Sequence, residues 1–152
     1  MAKLLRIIDL PPVWLLAMTA IAFGLDRWLP GLGFGWNWSY WLGNGLFGAG
    51  IGVMVLAVWE FLRARTTLIP RQTPSTFLQS GIYRLTRNPI YLGDALVLGG
   101  LVFRWDVLPA LILVPVFMRI ITSRFIIGEE AGLAELFGDE FQNWAATVRR
   151  WL

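Results

Sequence analysis

The residues best suited to chemistry are concentrated in one stretch, from Gly81 to Asp94, which reads GIYRLTRNPIYLGD. It combines arginines, tyrosines and an Asn-Pro turn, and long apolar runs precede and follow it. Polar groups beside membrane segments are costly unless they serve a function. A second polar feature is the adjacent pair Glu129-Glu130. Carboxylates beside arginines would suit a polar ligand that carries an amine.

The composition limits the chemistry that these residues can perform. The chain contains no Cys and no His. Thiolate catalysis, disulfides and Cys-ligated metals are thereby excluded, and the commonest general base is missing. Catalysis must therefore use carboxylates, Arg, Tyr, Asn, backbone groups or a bound cofactor. We expect neither a metal nor a nucleic acid among the partners.

The elements that position these residues are predicted to be membrane helices. Of the 152 residues, 57% are hydrophobic and only 15% are charged, whereas soluble domains carry roughly 25% charged residues. Nine Trp and three Tyr are typical of aromatic belts at a bilayer interface. We predict an all-α integral membrane protein in which residues 1–152 form a single domain, with the lipid bilayer as a partner.

The apolar pattern predicts about four transmembrane helices. They cover approximately residues 13–28, 41–62, 89–103 and 107–127. Arg104-Trp105-Asp106 is expected to form the tight turn between the last two, and Pro115 to kink the fourth. After it, residues 129–152 carry apolar side chains at helical spacing, which predicts an amphipathic cytoplasmic helix broken at Gly138.

The placement of basic residues predicts the orientation. With four spans, Arg119 lies inside the fourth helix, and only Arg27 and Arg104 lie on one side of the membrane. The other side carries Lys3, Arg6, Arg63, Arg65, Arg71, Arg84, Arg87, Arg124, Arg149 and Arg150. Positive residues accumulate on the cytoplasmic side. We therefore expect both termini in the cytoplasm, and an inner-membrane location in a bacterium.

The third and fourth helices form a predicted hairpin around residue 105, so residues near 88 and near 124 lie at the same depth. The turn from Arg87 to Tyr91 is expected to lie beside Arg124 and Glu129. Two alternatives exist for the Glu129-Glu130 pair: a solvated helix end, or an ion pair with Arg84 or Arg87. By the same depth argument, Asp94 and Arg119 are predicted to form a buried salt bridge.

Glycines are frequent on the second predicted helix. Gly48 and Gly52 form a GxxxG pair, which predicts close packing against another helix. The alternative is that a bulky ligand lies against this glycine face.

Two blocks of the sequence resemble a known family. Residues Gly81–Gly93 fit Gly-x-Tyr-x-x-x-Arg-(His/Asn)-Pro-x-Tyr-x-Gly, and Glu129–Phe141 fit Glu-Glu-x-x-Leu-x-x-x-Phe-Gly-x-Glu-(Tyr/Phe). The chain thus resembles the isoprenylcysteine carboxyl methyltransferase and phospholipid N-methyltransferase group of integral membrane methyltransferases. The resemblance covers about residues 40–152.

The resemblance implies an S-adenosylmethionine-dependent methyltransferase, with S-adenosylhomocysteine as product and a cofactor site built by about residues 66–152. Glu129 is expected to hold the methionine amino group, and Arg124 and Glu130 are the predicted catalytic residues. Arg119 and Arg124 are the predicted substrate-binding residues. The expected cofactor-binding residues are Gly50, Thr76, Phe77, Leu78, Tyr83, Arg87, Asn88, Pro89, Tyr91 and Glu129.

The resemblance also implies an amphiphilic, membrane-embedded methyl acceptor. Carboxyl O-methylation of an isoprenylcysteine-like substrate is favoured, although Asn88 stands where the prenylcysteine branch usually has His. The alternatives are N-methylation of a lipid amine, S-methylation of a thiol, and a non-catalytic membrane scaffold.

Overall fold

The computed structural model describes residues 9–29, 31–64 and 77–152, and this part of the chain is all helical. The α-helices are α1 (Pro11–Trp28), α2 (Ser39–Ala64), α3 (Pro89–Arg104), α4 (Leu113–Ile121) and α5 (Ile127–Thr147). Two 3₁₀ turns cover Gly81–Arg84 and Leu108–Ile112, and a π-helical turn covers Thr122–Ile126. The predicted all-α class is confirmed.

The helix boundaries follow local chemistry. Proline opens both α1 and α3, where its missing N–H is harmless. At the end of α3, Asp106 adopts a φ of 57° and turns the chain back, as predicted for this hairpin. Its carboxylate accepts hydrogen bonds from the Phe34 N–H at 3.0 Å and the Ser39 hydroxyl at 3.3 Å. Asp106 therefore also anchors the loop between α1 and α2.

Helix α3 lies at the centre of the molecule. Most of its residues are buried, because α2 packs against one side and α1 and α4 pack against the other. The main apolar cluster joins Leu98 of α3 to Met18 of α1 and to Phe117 and Ile121 of α4. Helix α3 is therefore held by three neighbouring helices.

Backbone-to-backbone contact at glycines joins α2 to α3. A Cβ atom added at Gly43 would lie 2.6 Å from the carbonyl oxygen of Gly100, and one at Gly50 would lie 2.7 Å from that of Gly93. By contrast, Gly48 and Gly52 have no atom within 4 Å of such a position. The prediction that these two pack closely against another helix is wrong for the helices that the structure describes, because both glycines lie on the exposed side of α2.

Two helical segments are long and apolar enough to cross a membrane among the described residues. They are Ser39–Ala64 and the continuous run Leu108–Thr147, which includes α4, the π turn and α5. The predicted fourth span and the first part of the tail helix are thus joined without a loop between them. Gly138 breaks its geometry with φ 49° and ψ −125°, as predicted.

The predicted Asp94–Arg119 salt bridge is wrong. Asp94 is 8% exposed on α3, whereas Arg119 is exposed on α4 and lines a surface groove with Trp151. Equal depth did not bring the two side chains together, because they lie on different faces of their helices.

The glycine contacts predict a difference between two substitutions on α2. Gly43→Ala should lower the free energy of unfolding by about 1–3 kcal/mol, because backbone atoms of α3 block the new methyl group. Gly45→Ala is the matched control, and it should raise stability by roughly 0.5–1 kcal/mol, since its added Cβ meets open space. Thermal unfolding in detergent measures both. Equal midpoints would contradict the packing described here.

Candidate functional site

The two motif blocks meet at one hydrogen bond. Tyr91, in the first turn of α3, donates its hydroxyl to Glu129 Oε1 in the first turn of α5 at 2.8 Å. The expectation that Glu129 lies beside this turn is confirmed. The contact depends on the hairpin, because Asp106 reverses the chain between the two residues.

Tyr83 occupies the neighbouring position in the 3₁₀ turn Gly81–Arg84 and is 7% exposed. Its ring packs edge-on against Phe61 of α2, with ring centroids 5.9 Å apart. Burial raises the pKa of the Tyr83 hydroxyl well above its usual range, and the charges of Glu129 and Glu60 raise it further. Tyr83 is therefore a neutral phenol that lies near two carboxylates.

Glu60 is a member of this site that the sequence reasoning missed. It is 8% exposed near the end of α2 and accepts a hydrogen bond from the Ser80 hydroxyl at 2.5 Å. Gly81, with φ 56°, packs so closely that a Cβ atom there would lie 2.6 Å from the Glu60 carboxyl carbon. A single acidic residue in an otherwise apolar span was the signal that would have identified it.

An open groove of about 510 Å³ lies next to Ser80. Its lining residues are Ala64, Phe77, Leu78, Gln79, Ser80 and Arg84. Phe77 also packs against Phe137 and Trp144 of α5, at centroid distances of 5.3 and 4.8 Å. Two predicted cofactor contacts, Phe77 and Leu78, therefore line a groove, whereas Thr76 lies outside the described residues.

Glu130 points away from Tyr91 and joins two arginines. It forms a bidentate pair with Arg150, at 3.0 Å to Nε and 2.6 Å to Nη2, and lies 3.4 Å from Arg87 Nη1. The ion-pair alternative is thus confirmed for Glu130 and Arg87. The catalytic role of Glu130 stays a prediction, and its contacts in the structure are those of a structural link.

The C-terminal tail adds backbone contacts to the same turn. The Arg87 N–H donates to the Arg149 carbonyl at 2.9 Å, and the Asn88 side-chain amide donates to the Arg150 carbonyl at 2.9 Å. Trp151 then donates its indole N–H to Thr122 in the π turn at 3.2 Å. The tail thereby fixes the conformation that leads into Pro89 and α3. The sequence reasoning assigned no role to Arg150.

The other predicted site residues lie elsewhere. Arg124 Nη1 is 2.9 Å from Asp9 Oδ1, and its guanidinium lies 5.3 Å from the Trp14 ring centroid, so it anchors the start of α1. Arg119 lines the separate groove on α4. Gly50 packs directly against the backbone of Gly93. Their binding and catalytic roles stay predictions.

The central arrangement is acidic and aromatic. Glu129 and Glu60 lie near the Tyr83 hydroxyl, and Tyr91 donates to Glu129. Such a site favours a ligand with positive charge, because Glu60 is buried and Glu129 half-buried, so both carboxylates have lost part of their solvation. In the described ranges no group of His, Cys, Asp or Glu side chains could hold a metal ion.

Comparison with known proteins adds one match. The family model described as phospholipid methyltransferase matches residues 38–140, which include the first motif block and nearly all of the second. No curated protein and no solved structure matches the chain.

The tail contacts predict a local effect of Arg150→Ala. The free energy of unfolding should fall by about 1 kcal/mol at most, because the Arg150 side chain is 37% exposed and its ion pair is screened. Limited proteolysis should cut the tail several times faster in this variant. Arg149→Ala is the control, since Arg149 contacts the turn through its carbonyl. Equal cleavage of the two variants would contradict a role for the Arg150 side chain.

Proposed function

Because the chain belongs to the phospholipid methyltransferase family, we propose that it transfers a methyl group from S-adenosylmethionine to a lipid-like acceptor in a membrane. The family match supports the reaction class. The observation that carries the cofactor assignment is the hydrogen bond between Tyr91 and Glu129, which joins the two motif blocks.

The residues at this contact fit the cofactor. When bound, S-adenosylmethionine supplies an electrophilic methyl group on a positively charged sulfur. Glu129 is suited to accept hydrogen bonds from the methionine ammonium, and the Tyr91 hydroxyl fixes the direction of its carboxylate. Phe77 and Leu78 line the adjacent groove, where an apolar surface can receive a nucleoside.

The protein contributes orientation and exclusion of water, which are the main requirements of a displacement with a good leaving group. Tyr83 is a buried neutral phenol, so it can donate a hydrogen bond into the site without adding charge. Pro89 starts α3 directly after Asn88, whose amide is held by the tail. The start of α3 beside the site is therefore fixed by the tail.

We propose that the acceptor reaches the site laterally from the bilayer, since the helices around it expose large apolar surfaces. Leu16, Val55 and Trp59 are each more than 60% exposed. We further propose that the chain crosses the membrane four times, through α1, α3 and the two longer segments. Both termini would then lie in the cytoplasm of a bacterium. The asymmetric placement of Lys and Arg supports this orientation.

Two acceptor classes follow from the sequence and the family. The motifs favoured carboxyl O-methylation of an isoprenylcysteine-like compound, and the description of the matching family favours a phospholipid. The acidic surroundings of Tyr83 favour the second class through a headgroup amine, because a carboxylate acceptor would add negative charge beside Glu60 and Glu129.

Substitution of Glu129 tests the cofactor assignment. Glu129→Gln should weaken S-adenosylmethionine binding by about tenfold to a hundredfold, because a hydrogen bond to a charged group contributes about 1.5–3 kcal/mol. Isothermal titration calorimetry in lipid nanodiscs measures it. Glu135→Gln, on the exposed side of α5, is the control and should bind like the unsubstituted protein. If the unsubstituted protein binds no S-adenosylmethionine, the enzyme assignment is wrong and a non-catalytic scaffold is indicated.

An acceptor panel tests the substrate class. We expect radiolabelled methyl transfer to phosphatidylethanolamine vesicles to exceed transfer to a prenylated cysteine carboxylate or to a long-chain thiol. A mass-spectrometric product with an N-methylated headgroup would establish the class. Predominant formation of a base-labile methyl ester would assign the carboxylate acceptor instead.

A further inference from the structure

Glu60 has a setting that the two motif blocks do not explain. It lies near the C-terminal end of α2, outside both blocks, and is only 8% exposed to solvent. No described lysine or arginine lies within salt-bridge distance of it. A buried carboxylate without an ion-pair partner is costly, so it is expected to have a function.

The carboxylate is also held rigidly. Ser80 donates its hydroxyl to Oε2 at 2.5 Å, and the backbone of Gly81 packs against the carboxyl group. The φ of 56° at Gly81 and the lack of room for a Cβ atom both restrict this position to glycine. The glycine of the first motif block therefore serves to accommodate Glu60 in this chain.

Its position connects the groove to the contact between the motif blocks. Ser80 lines the groove, and the pKa of the Tyr83 hydroxyl, two residues after Gly81, is raised by the charges of both Glu129 and Glu60. Phe61, the residue after Glu60, packs against the Tyr83 ring. The charge of Glu60 is thus held beside the region between Ser80 and Tyr83.

We propose that Glu60 is a positioning residue whose fixed negative charge makes the site select ligands that are positively charged. The inference rests on the proposed function and adds a specificity-determining residue to it. For the cofactor, the charge discriminates the sulfonium of S-adenosylmethionine from the neutral sulfur of S-adenosylhomocysteine. For the acceptor, it favours an ammonium headgroup over a carboxylate.

The substitution Glu60→Gln isolates this charge. Glutamine keeps the volume and the acceptor oxygen for Ser80, so the fold should persist, but the negative charge is lost. We expect the ratio of affinities for S-adenosylmethionine and S-adenosylhomocysteine to fall about tenfold or more, because the negative charge stabilises only the ligand that carries a sulfonium. Calorimetry measures both affinities on the same preparation. An inactive fraction of the protein then affects both titrations equally and does not change their ratio.

Two control variants separate charge from structure. Ser80→Ala removes the hydrogen bond but keeps the charge, so the affinity ratio should be nearly unchanged even if thermal stability falls. Glu135→Gln removes an exposed charge from α5 and should alter neither the affinity ratio nor the thermal stability.

The outcomes distinguish this inference from the proposed function. If the unsubstituted protein binds neither ligand, the proposed function fails. If it binds both and Glu60→Gln leaves their affinity ratio unchanged, Glu60 is structural and the inference is overturned. An equal fall of the ratio in Ser80→Ala would also overturn it, because geometry rather than charge would then set the selectivity.

Discussion

The close approach of α2 and α3 at paired glycines is the constraint on which the site depends. Gly50 meets Gly93 and Gly43 meets Gly100, so the register of the two helices is fixed by backbone contact. Tyr91 lies two residues before Gly93, and Glu60 lies ten residues beyond Gly50 on the antiparallel partner. A different register would separate the end of α2 from the first turn of α3. Helix packing therefore determines which residues the site brings together.

The carboxylates around this register divide into two kinds. Glu130 and Asp9 each pair with arginine, and both connect segments of the chain: the tail to the turn before α3, and α1 to the π turn. Glu60 instead accepts a hydrogen bond from the Ser80 hydroxyl. A hydroxyl orients a carboxylate but leaves its charge in place, whereas an arginine neutralises it. Glu60 is therefore suited to bind a cation, whereas Glu130 and Asp9 stabilise the fold.

Sequence periodicity predicted most of the fold, because apolar runs and prolines set helix boundaries locally. The starts of α1 and α3, the turn at Asp106 and the break at Gly138 all follow from short-range chemistry. Helix faces were not predictable in the same way. Gly48 and Gly50 differ by two positions on an almost uniformly apolar helix, so the sequence carries no signal for which one faces α3. The pairing of Asp94 with Arg119 was predicted from their equal depth alone. The structure shows that the two side chains lie on different helix faces, which the sequence did not reveal.

The role of Asn88 changes once the tail is considered. On sequence grounds, an amide in place of the histidine of the prenylcysteine branch argues against a prenylcysteine acceptor. In the structure its amide donates to the Arg150 carbonyl, and the Arg87 N–H donates to the Arg149 carbonyl. The identity of residue 88 is thereby linked to docking of the tail. The charge preference of the site is more directly connected to Glu60 and Glu129, because the charges of both raise the pKa of the Tyr83 hydroxyl and Glu60 itself is buried. Residue 88 is accordingly a weaker guide to the acceptor than the acidic residue at the end of α2.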